Sequence, residues 1–356
     1  MTIDFNANIR TERIAMPWGA SCVQATYDGN ADRRLHGFKA IIVADTLNPD
    51  NERITTMITR FPRCILAEVN THRVFSRNSA SSRARSVRST IGAVMDDPYI
   101  PLFTENHKGM GGAIIEDGEA IERATRYWLQ ARDSAVLSEL RMLMGDAIGN
   151  RTASDWNAII DEYYENVYNH EGEPDRRYDD APNIHKQNAN RLIEPFMWHE
   201  ALITSSYWDN FYHLRISEFA QPEIHALACL MKAAQDASDP QERSIHIPFV
   251  DVNALPALDA MTWDELKGVL MDSASECARI SYKDRSRTAK SDNNALAERL
   301  LHDGHMSPLE HQAIAIEAYE ALGGLHVIPE DVFHDDGNMH GNLSAGWIQG
   351  RHVLGN

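Results

Sequence analysis

Seven arginines and no lysine fall between residues 60 and 90: Arg60, Arg63, Arg73, Arg77, Arg83, Arg85 and Arg88. Glu68 is the only acid in that window, so the segment sums to +6 inside a chain whose 34 basic and 52 acidic residues sum to −18. A planar guanidinium forks onto phosphate or carboxylate, whereas lysine acts as a point charge. Ser76, Ser79, Ser81, Ser82 and Ser86 add hydroxyl donors of the kind phosphate sites use. Composition alone leaves two readings open. One is an anion-binding loop; the other is a solvated basic loop, or an arm that touches nucleic acid.

Two further segments gather chemistry-bearing residues. Residues 191–225 hold Arg191, then Asn210 and Leu214-Arg215, then Ala220-Gln221 and Glu223-Ile224. On a helix, Asn210 and Arg215 are separated by about 500° of turn, so they diverge but can line one cleft wall. The alternative is a solvated helix face. Residues 277–311 hold Ala278-Arg279-Ile280-Ser281-Tyr282 and Gly304-His305-Met306-Ser307-Pro308-Leu309-Glu310-His311. His302, His305, His311, Asp303 and Glu310 are ligand types for zinc or iron, but Pro308 interrupts any i, i+4 face, so no metal site is assigned. Ser307-Pro308-x-Glu310 also fits a helix start with a capping box, which accounts for neither His305 nor His311.

These segments need elements to position them. Residues 1–37 read as irregular. KAIIVAD (39–45) reads as a buried strand ending at a turn over Asn48-Pro49-Asp50. Apolar residues at 54, 57, 58, 64, 65 and 69 have helical spacing, so a helix is expected over 51–72, interrupted at Pro62 and aiming the arginine-serine loop from its end. Residues 93–115 read as loop. A long amphipathic helix is expected over 116–148 and is broken by 149–155. Ser154 would cap a helix running through Tyr168. Residues 169–183 are turn-rich. Helices are expected at 206–218, 222–236, 262–278 and 293–303, and strands at 244–252 and 313–318. Helix dominates over a few apolar strands, which makes the class α+β.

Apolar residues make up 43% and charged residues 24% of the 356, enough to build a core and incompatible with wholesale disorder. No window approaches the roughly 18 apolar residues a membrane-spanning helix needs. The N-terminal residues carry no apolar h-region, so no secretory signal is expected. Cys22, Cys64, Cys229 and Cys277 form no CxxC pair, which argues against a disulfide framework or zinc knot and for a reducing, cytoplasmic setting. The negative total argues against a nucleic-acid polymer as partner.

Taken together, the motifs resemble the flavin-dependent thymidylate synthases. Thr71-His72-Arg73, seven residues, then Ser81 follows that family's Arg-His-Arg signature, with Thr71 in place of the first arginine. Gly304 to His311 is similar to Gly-His-x-Ser/Thr-Pro-Phe-Glu-His. Ala278 to Tyr282 is similar to Ala-Arg-Val-Ser-Tyr. Asn210, Leu214-Arg215, Ala220-Gln221 and Glu223-Ile224 follow a fourth stretch. The family places the second and third motifs before the arginine loop. Here they come last, so the chain looks circularly permuted, which folds tolerate when the parent termini lie close together. The resemblance implies a single domain over 1–356, with a central mixed sheet flanked by helices. Residues 93–183 are then a helical insertion and 320–356 an irregular C-terminal tail.

The resemblance also implies function: flavin- and folate-dependent methylation of C5 of a pyrimidine deoxynucleotide monophosphate, dUMP to dTMP, with a hydride from reduced FAD. NADPH and 5,10-methylenetetrahydrofolate are the implied co-substrates, in a homotetramer with sites at subunit interfaces. By motif position, His72, Arg73, Asn78, Ser79, Asn210, Ser281, His305, Ser307 and Glu310 would hold FAD. Glu68, Ser79, Ala80, Ser81, Ser82, Arg83, Arg191 and Arg215 would bind the nucleotide. Arg215 would stabilise negative charge developing on the ring, and it shares the catalytic assignment with Ser81. The family has Glu where Ser79 stands, Tyr where Ala84 stands and Gln where Glu68 stands. A carboxylate prefers an amino donor such as N4 of cytosine, so dCMP is an alternative substrate; the other reading of Glu68 is a solvent-facing group or a partner of a loop arginine. A catalytically silent flavin- or nucleotide-binding relative is the rival from another class.

Overall fold

In the computed structural model the run Arg53–Pro62, expected to open a helix, is instead a strand, β4. Five of its ten residues are isoleucine or threonine, whose branched Cβ favours the extended chain. Nearly every position is buried, so both faces are covered and the two-residue alternation that marks a half-buried strand is missing. The structure describes residues 3–19, 21–108, 112–167, 178, 180–182, 184–280, 290–325, 327–329, 332–333 and 339–354.

The N-terminal segment, expected to be irregular, is a hairpin: β1 (Ile9–Ala15) and β2 (Ser21–Tyr27) pair antiparallel from Ile9 with Tyr27 to Ala15 with Ser21. β1 is an edge strand carrying Arg10, Glu12 and Arg13, and such charge disguises a strand in a sequence. The remaining strands are β3 (Lys39–Leu47), β5 (Ser76–Ser79), β6 (Trp198–Ser205), β7 (Gln241–Glu242), β8 (Ile245–His246), β9 (Ala313–Ala315) and β10 (Trp347–Gln349). Helices in the first half are α1 (Leu66–Val69), α2 (Val87–Asp96), α3 (Gly118–Met144), α4 (Trp156–Val167) and α5 (Lys186–Ala189). Those in the second half are α6 (Asp209–Arg215), α7 (Pro222–Asp236), α8 (Trp263–Arg279), α9 (Lys290–His302), α10 (Ile316–Gly324) and α11 (Gly350–Leu354). The class is α+β.

Contacts divide the chain into two compact units. A sheet unit comprises chiefly residues 4–60, 67–80 and 200–356; a helical unit comprises chiefly 61–66 and 81–199. The sheet unit holds a seven-stranded sheet in the order β1-β2-β3-β4-β6-β5, with β7 added in parallel to β3. The pairs β1/β2, β2/β3, β3/β4 and β5/β6 are antiparallel. α7 packs on β1, β2 and β3. A second sheet runs β10-β9-β8.

The expected C-terminal irregularity is corrected here. β10 pairs with β9 from Trp347 with Ala315 to Gln349 with Ala313, and Trp347 is wholly buried. Three-residue strands leave little pattern in a Gly- and His-rich stretch, and tertiary burial supplies their stability. The expected strand 244–252 shrinks to β8, because Phe249 adopts a left-handed backbone (φ 66°). The strand expected to reach 318 stops at Ala315, where α10 begins.

The helical unit is built on α3, whose Val136, Leu140, Leu143 and Met144 pack with Ile91 of α2, Ile159 and Ile160 of α4, and Ile193. Asp117 caps α3 at the Glu119 amide. The cap expected at Ser154 is instead Thr152, reciprocally bonded with Asp155 around a short 3-10 turn. A helix that was not expected follows the arginine loop: α2 starts at Val87, capped by Ser86, and takes up the first residues of the expected 93–115 loop. The loop expected over 169–183 lies largely outside the described residues. No helix among the described residues is long and apolar enough to cross a membrane.

Candidate functional site

Four motif segments meet in the sheet unit. α1 ends in a turn that continues through amide bonds from Thr71 to the Glu68 carbonyl (3.1 Å) and from His72 to the Val69 carbonyl (3.3 Å). That turn drops His72 between Phe75 and Phe211, with ring centroids 5.5 and 4.9 Å away, and leaves its side chain buried. Arg215 closes α6 and reaches this turn from the other side. Its Nε donates to His72 Nε2 (3.0 Å), its Nη1 pairs with Glu68 Oε1, and its Nη2 donates to Thr71 Oγ1 (3.3 Å).

An arginine Nε–H can only donate, so His72 Nε2 accepts and the ring proton sits on Nδ1. Burial, then the Arg215 and Arg77 charges, pushes His72 down to about 4, so the ring is neutral at physiological pH. Arg77 Nη1 donates to the Val69 carbonyl (3.2 Å) and also reaches the His72 carbonyl (3.4 Å), pinning the turn from below. Glu68 therefore pairs with Arg215 itself, and not with an arginine of the loop. Arg215 is anchored at three points before any ligand arrives.

The strand leaving this turn, β5, lies against the 3-10 turn Ser307–Glu310. The capping box considered for Ser307-Pro308-x-Glu310 is absent: the Ser307 side chain makes no cap, and Glu310 is held by Arg351 at 2.8 Å. Gln349 Nε2 ties the two elements together, donating to Ser76 Oγ (3.2 Å) and the Glu310 carbonyl (3.0 Å). Asn78, on the same strand, donates through Nδ2 to the Cys277 carbonyl (3.4 Å) at the end of α8. The residue pair Ala278-Arg279 thus begins where β5 touches α8, although Arg279 turns its guanidinium to Asn293 of α9 (2.7 Å). Ser281 lies outside the described residues.

Gly304 stops α9. Its φ of +70°, with the His305 amide on the Leu300 carbonyl (2.8 Å) and its own amide on Leu301 (3.1 Å), is a Schellman ending that glycine adopts without strain. His305 follows and is exposed, as are Ser307, Asn210 and Arg73. Ser79 is half-buried in β5, and Ala80 is buried with its amide on the Glu200 carbonyl.

His311, the last residue of its motif, turns inward to a buried chain of polar groups. His311 Nδ1 meets Thr204 Oγ1 (2.7 Å), Thr204 meets Thr56 (2.6 Å), Thr56 meets His246 Nε2 (2.7 Å), and His246 Nδ1 meets Thr46 (2.8 Å). Burial drives both histidines down to about 3, so each is neutral and the chain consists of single donors and acceptors. Thr204→Val keeps the shape but strands the Thr56 and His311 groups. It is expected to cost roughly 3 kcal/mol, read as a lower urea midpoint at unchanged slope. His302 instead pairs with Asp303 at the surface (3.1 Å). Among the described residues no three His, Cys, Asp or Glu side chains gather as metal ligands.

Ser81, Ser82, Arg83 and Arg191 belong to the helical unit. Buried Asn190, the neighbour of Arg191, donates to the Ser82 carbonyl (2.9 Å) and the Arg85 carbonyl (3.4 Å), and accepts from Thr90 Oγ1 (3.0 Å). The loop is thereby clamped beside Arg191, with Arg83 and Arg191 both exposed and α2 starting just beyond it. Within this unit the serine-arginine loop lies against Asn190, the chain neighbour of Arg191.

Asn190, Gln349 and Arg351 were invisible as site residues in the sequence, because lone amides and a tail arginine carry no spacing signal. The chemistry on offer in the sheet unit is a neutral imidazole, a fixed guanidinium beside a carboxylate, and exposed donors around them. Neither a scan against protein-family models nor a search of curated proteins returns a match for this chain.

Proposed function

We propose that the protein is a flavoenzyme of the flavin-dependent thymidylate synthase type, modifying C5 of a pyrimidine deoxynucleotide monophosphate with a folate-borne carbon. The observation that carries this reading is the meeting of motifs far apart in sequence: Arg215 on His72, β5 on the Ser307–Glu310 turn, and Asn78 on the end of α8. A chance set of sequence resemblances has no reason to converge in one unit.

The donor set fits FAD. Exposed Arg73, Asn210, His305 and Ser307 carry N–H and O–H groups of the kind a pyrophosphate and ring carbonyls accept, and Asn78, Ser79 and Glu310 lie on β5 and the Ser307–Glu310 turn that packs against it. Bound FAD would supply the hydride, drawn from NADPH, with 5,10-methylenetetrahydrofolate as carbon donor. The protein's own part is to orient and polarise. His72 locks the Arg215 plane, and Arg215 holds positive charge where the pyrimidine ring gains electron density. Within the helical unit, Ser81, Ser82, Arg83 and Arg191 form their own group of hydroxyl and guanidinium donors, of the kind a phosphate and sugar accept.

The homotetramer is supported by the apolar side chains bordering this site. Val74, Tyr207, Leu214 and Phe219 are exposed, Phe219 by 82%, and a second copy would cover them. A cytoplasmic setting accords with the four free cysteines. Purified protein is expected to be yellow, with an absorbance band near ~450 nm from bound flavin, and to oxidise NADPH only when a pyrimidine nucleotide is added. A colourless protein that binds no added FAD overturns the proposal. Flavin binding without nucleotide-dependent oxidation replaces it with a silent flavin-binding relative.

A further inference from the structure

We propose that the pyrimidine taken by this site carries an exocyclic amine: its substrate is a 4-aminopyrimidine deoxynucleotide monophosphate, of which dCMP is the simplest, in preference to dUMP. The inference rests on the nucleotide reading above and names its substrate.

The Arg215–Glu68 pair sets a carboxylate and a guanidinium side by side. Both remain reachable, with 18% of the arginine and 26% of the glutamate side chain accessible. Glu68 Oε2 has no donor among the described residues. Of the five N–H donors of Arg215, three are engaged by His72, Glu68 and Thr71, which leaves two. The pair therefore presents an acceptor next to donors.

A 4-aminopyrimidine shows a donor at N4, then acceptors at N3 and O2. Uracil shows an acceptor at O4, then a donor at N3. Set against Glu68 and Arg215, the amine meets the carboxylate and N3 meets a guanidinium N–H. Uracil in the same pose opposes O4 to the carboxylate and N3–H to the guanidinium. Neighbouring groups do not reverse the pattern. His72 Nε2 is taken by Arg215 Nε, and the Thr71 hydroxyl proton is given to the Glu68 carbonyl (2.7 Å), so neither supplies a donor for O4. A site whose polar groups are left opposed rejects the wrong ring strongly.

The test is isothermal titration of the full-length protein, with the flavin it carries, against dCMP and dUMP separately. The expected result is dCMP binding tighter by about tenfold or more. In Glu68→Gln, whose amide can present either its oxygen or its nitrogen, the two affinities are expected to fall within about threefold of each other. Equal or tighter binding of dUMP by the wild-type protein overturns this inference and leaves the nucleotide reading standing. Binding of neither nucleotide overturns the nucleotide reading itself. A Glu68→Gln protein that melts like wild type yet keeps the full preference for dCMP removes Glu68 from the explanation and overturns the inference.

Discussion

Replacing Arg215 by alanine is expected to lower nucleotide-dependent turnover by about 10²–10³-fold, the usual loss when one preorganised donor to a developing negative charge is removed. The fall should appear in kcat more than in KM, because the interaction strengthens as charge builds on the ring. Arg215→Lys is expected to recover little. A lysine retains the charge but has no planar fork with which to engage His72 Nε2, Glu68 Oε1 and Thr71 Oγ1 together. A second readout is independent of turnover. The Arg215 charge is one cause of the depressed His72 pKa, after burial, so its removal should move the His72 imidazole up from about 4, followed by NMR titration of the ring protons. Wild-type turnover in a folded Arg215→Ala protein would refute the role assigned to this residue.

Glutamate 139 carries the second large effect, and it acts on stability. It sits on α3 inside the apolar core of the helical unit, with no exposed surface and with neither carboxylate oxygen partnered among the described residues. Burial raises it to about 8, from an ordinary value of 4.5. The folded state thus keeps the proton across an interval where the unfolded chain has lost it. Stability from this group is full below about pH 4.5, falls by about 1.4 kcal/mol per pH unit as pH rises towards 8, and is flat beyond. Water entry on ionisation trims the sum, so Glu139→Gln is expected to be more stable than wild type by about 2–4 kcal/mol at pH 8, with little difference at pH 5.

The sheet unit should show the opposite slope. His246 and His311 are held neutral by burial, at about 3 against an ordinary 6.5. Their contribution is present above pH 6.5 and is lost as pH falls towards 3. Hydrogen exchange read peptide by peptide separates the two. Peptides from α3 and α4 should lose protection as pH rises, and those from β4, β6 and β9 as it falls. A Glu139→Gln protein whose denaturation midpoints track wild type at every pH would show that Glu139 finds a partner or water in solution.

Much of the helical framework was legible because amphipathic helices announce themselves locally. The expected helices over 116–148, 222–236 and 262–278 became α3, α7 and α8. Strands were legible only where apolar runs were short and bounded, as in β3. β4 imitated a helix because burial on both faces removes the alternation, and β1 imitated a loop because an edge strand shows its charges to water.

At the candidate site, the residue types belonged to the sequence: a lysine-free run of arginines, two motif histidines, and Arg215 spaced from Asn210. Those types dictated the available chemistry, because donor count and charge are properties of a side chain wherever it lies. Tertiary structure alone decided pairing. It set Glu68 on Arg215 when a loop arginine was the expected alternative, turned His311 inward to Thr204 while His305 stayed exposed, and gave Glu310 to Arg351. Partners such as these lie 40 to 150 residues apart in the chain. No local propensity encodes such distances; they are set when the sheets and helices bury their apolar faces and carry the polar groups along.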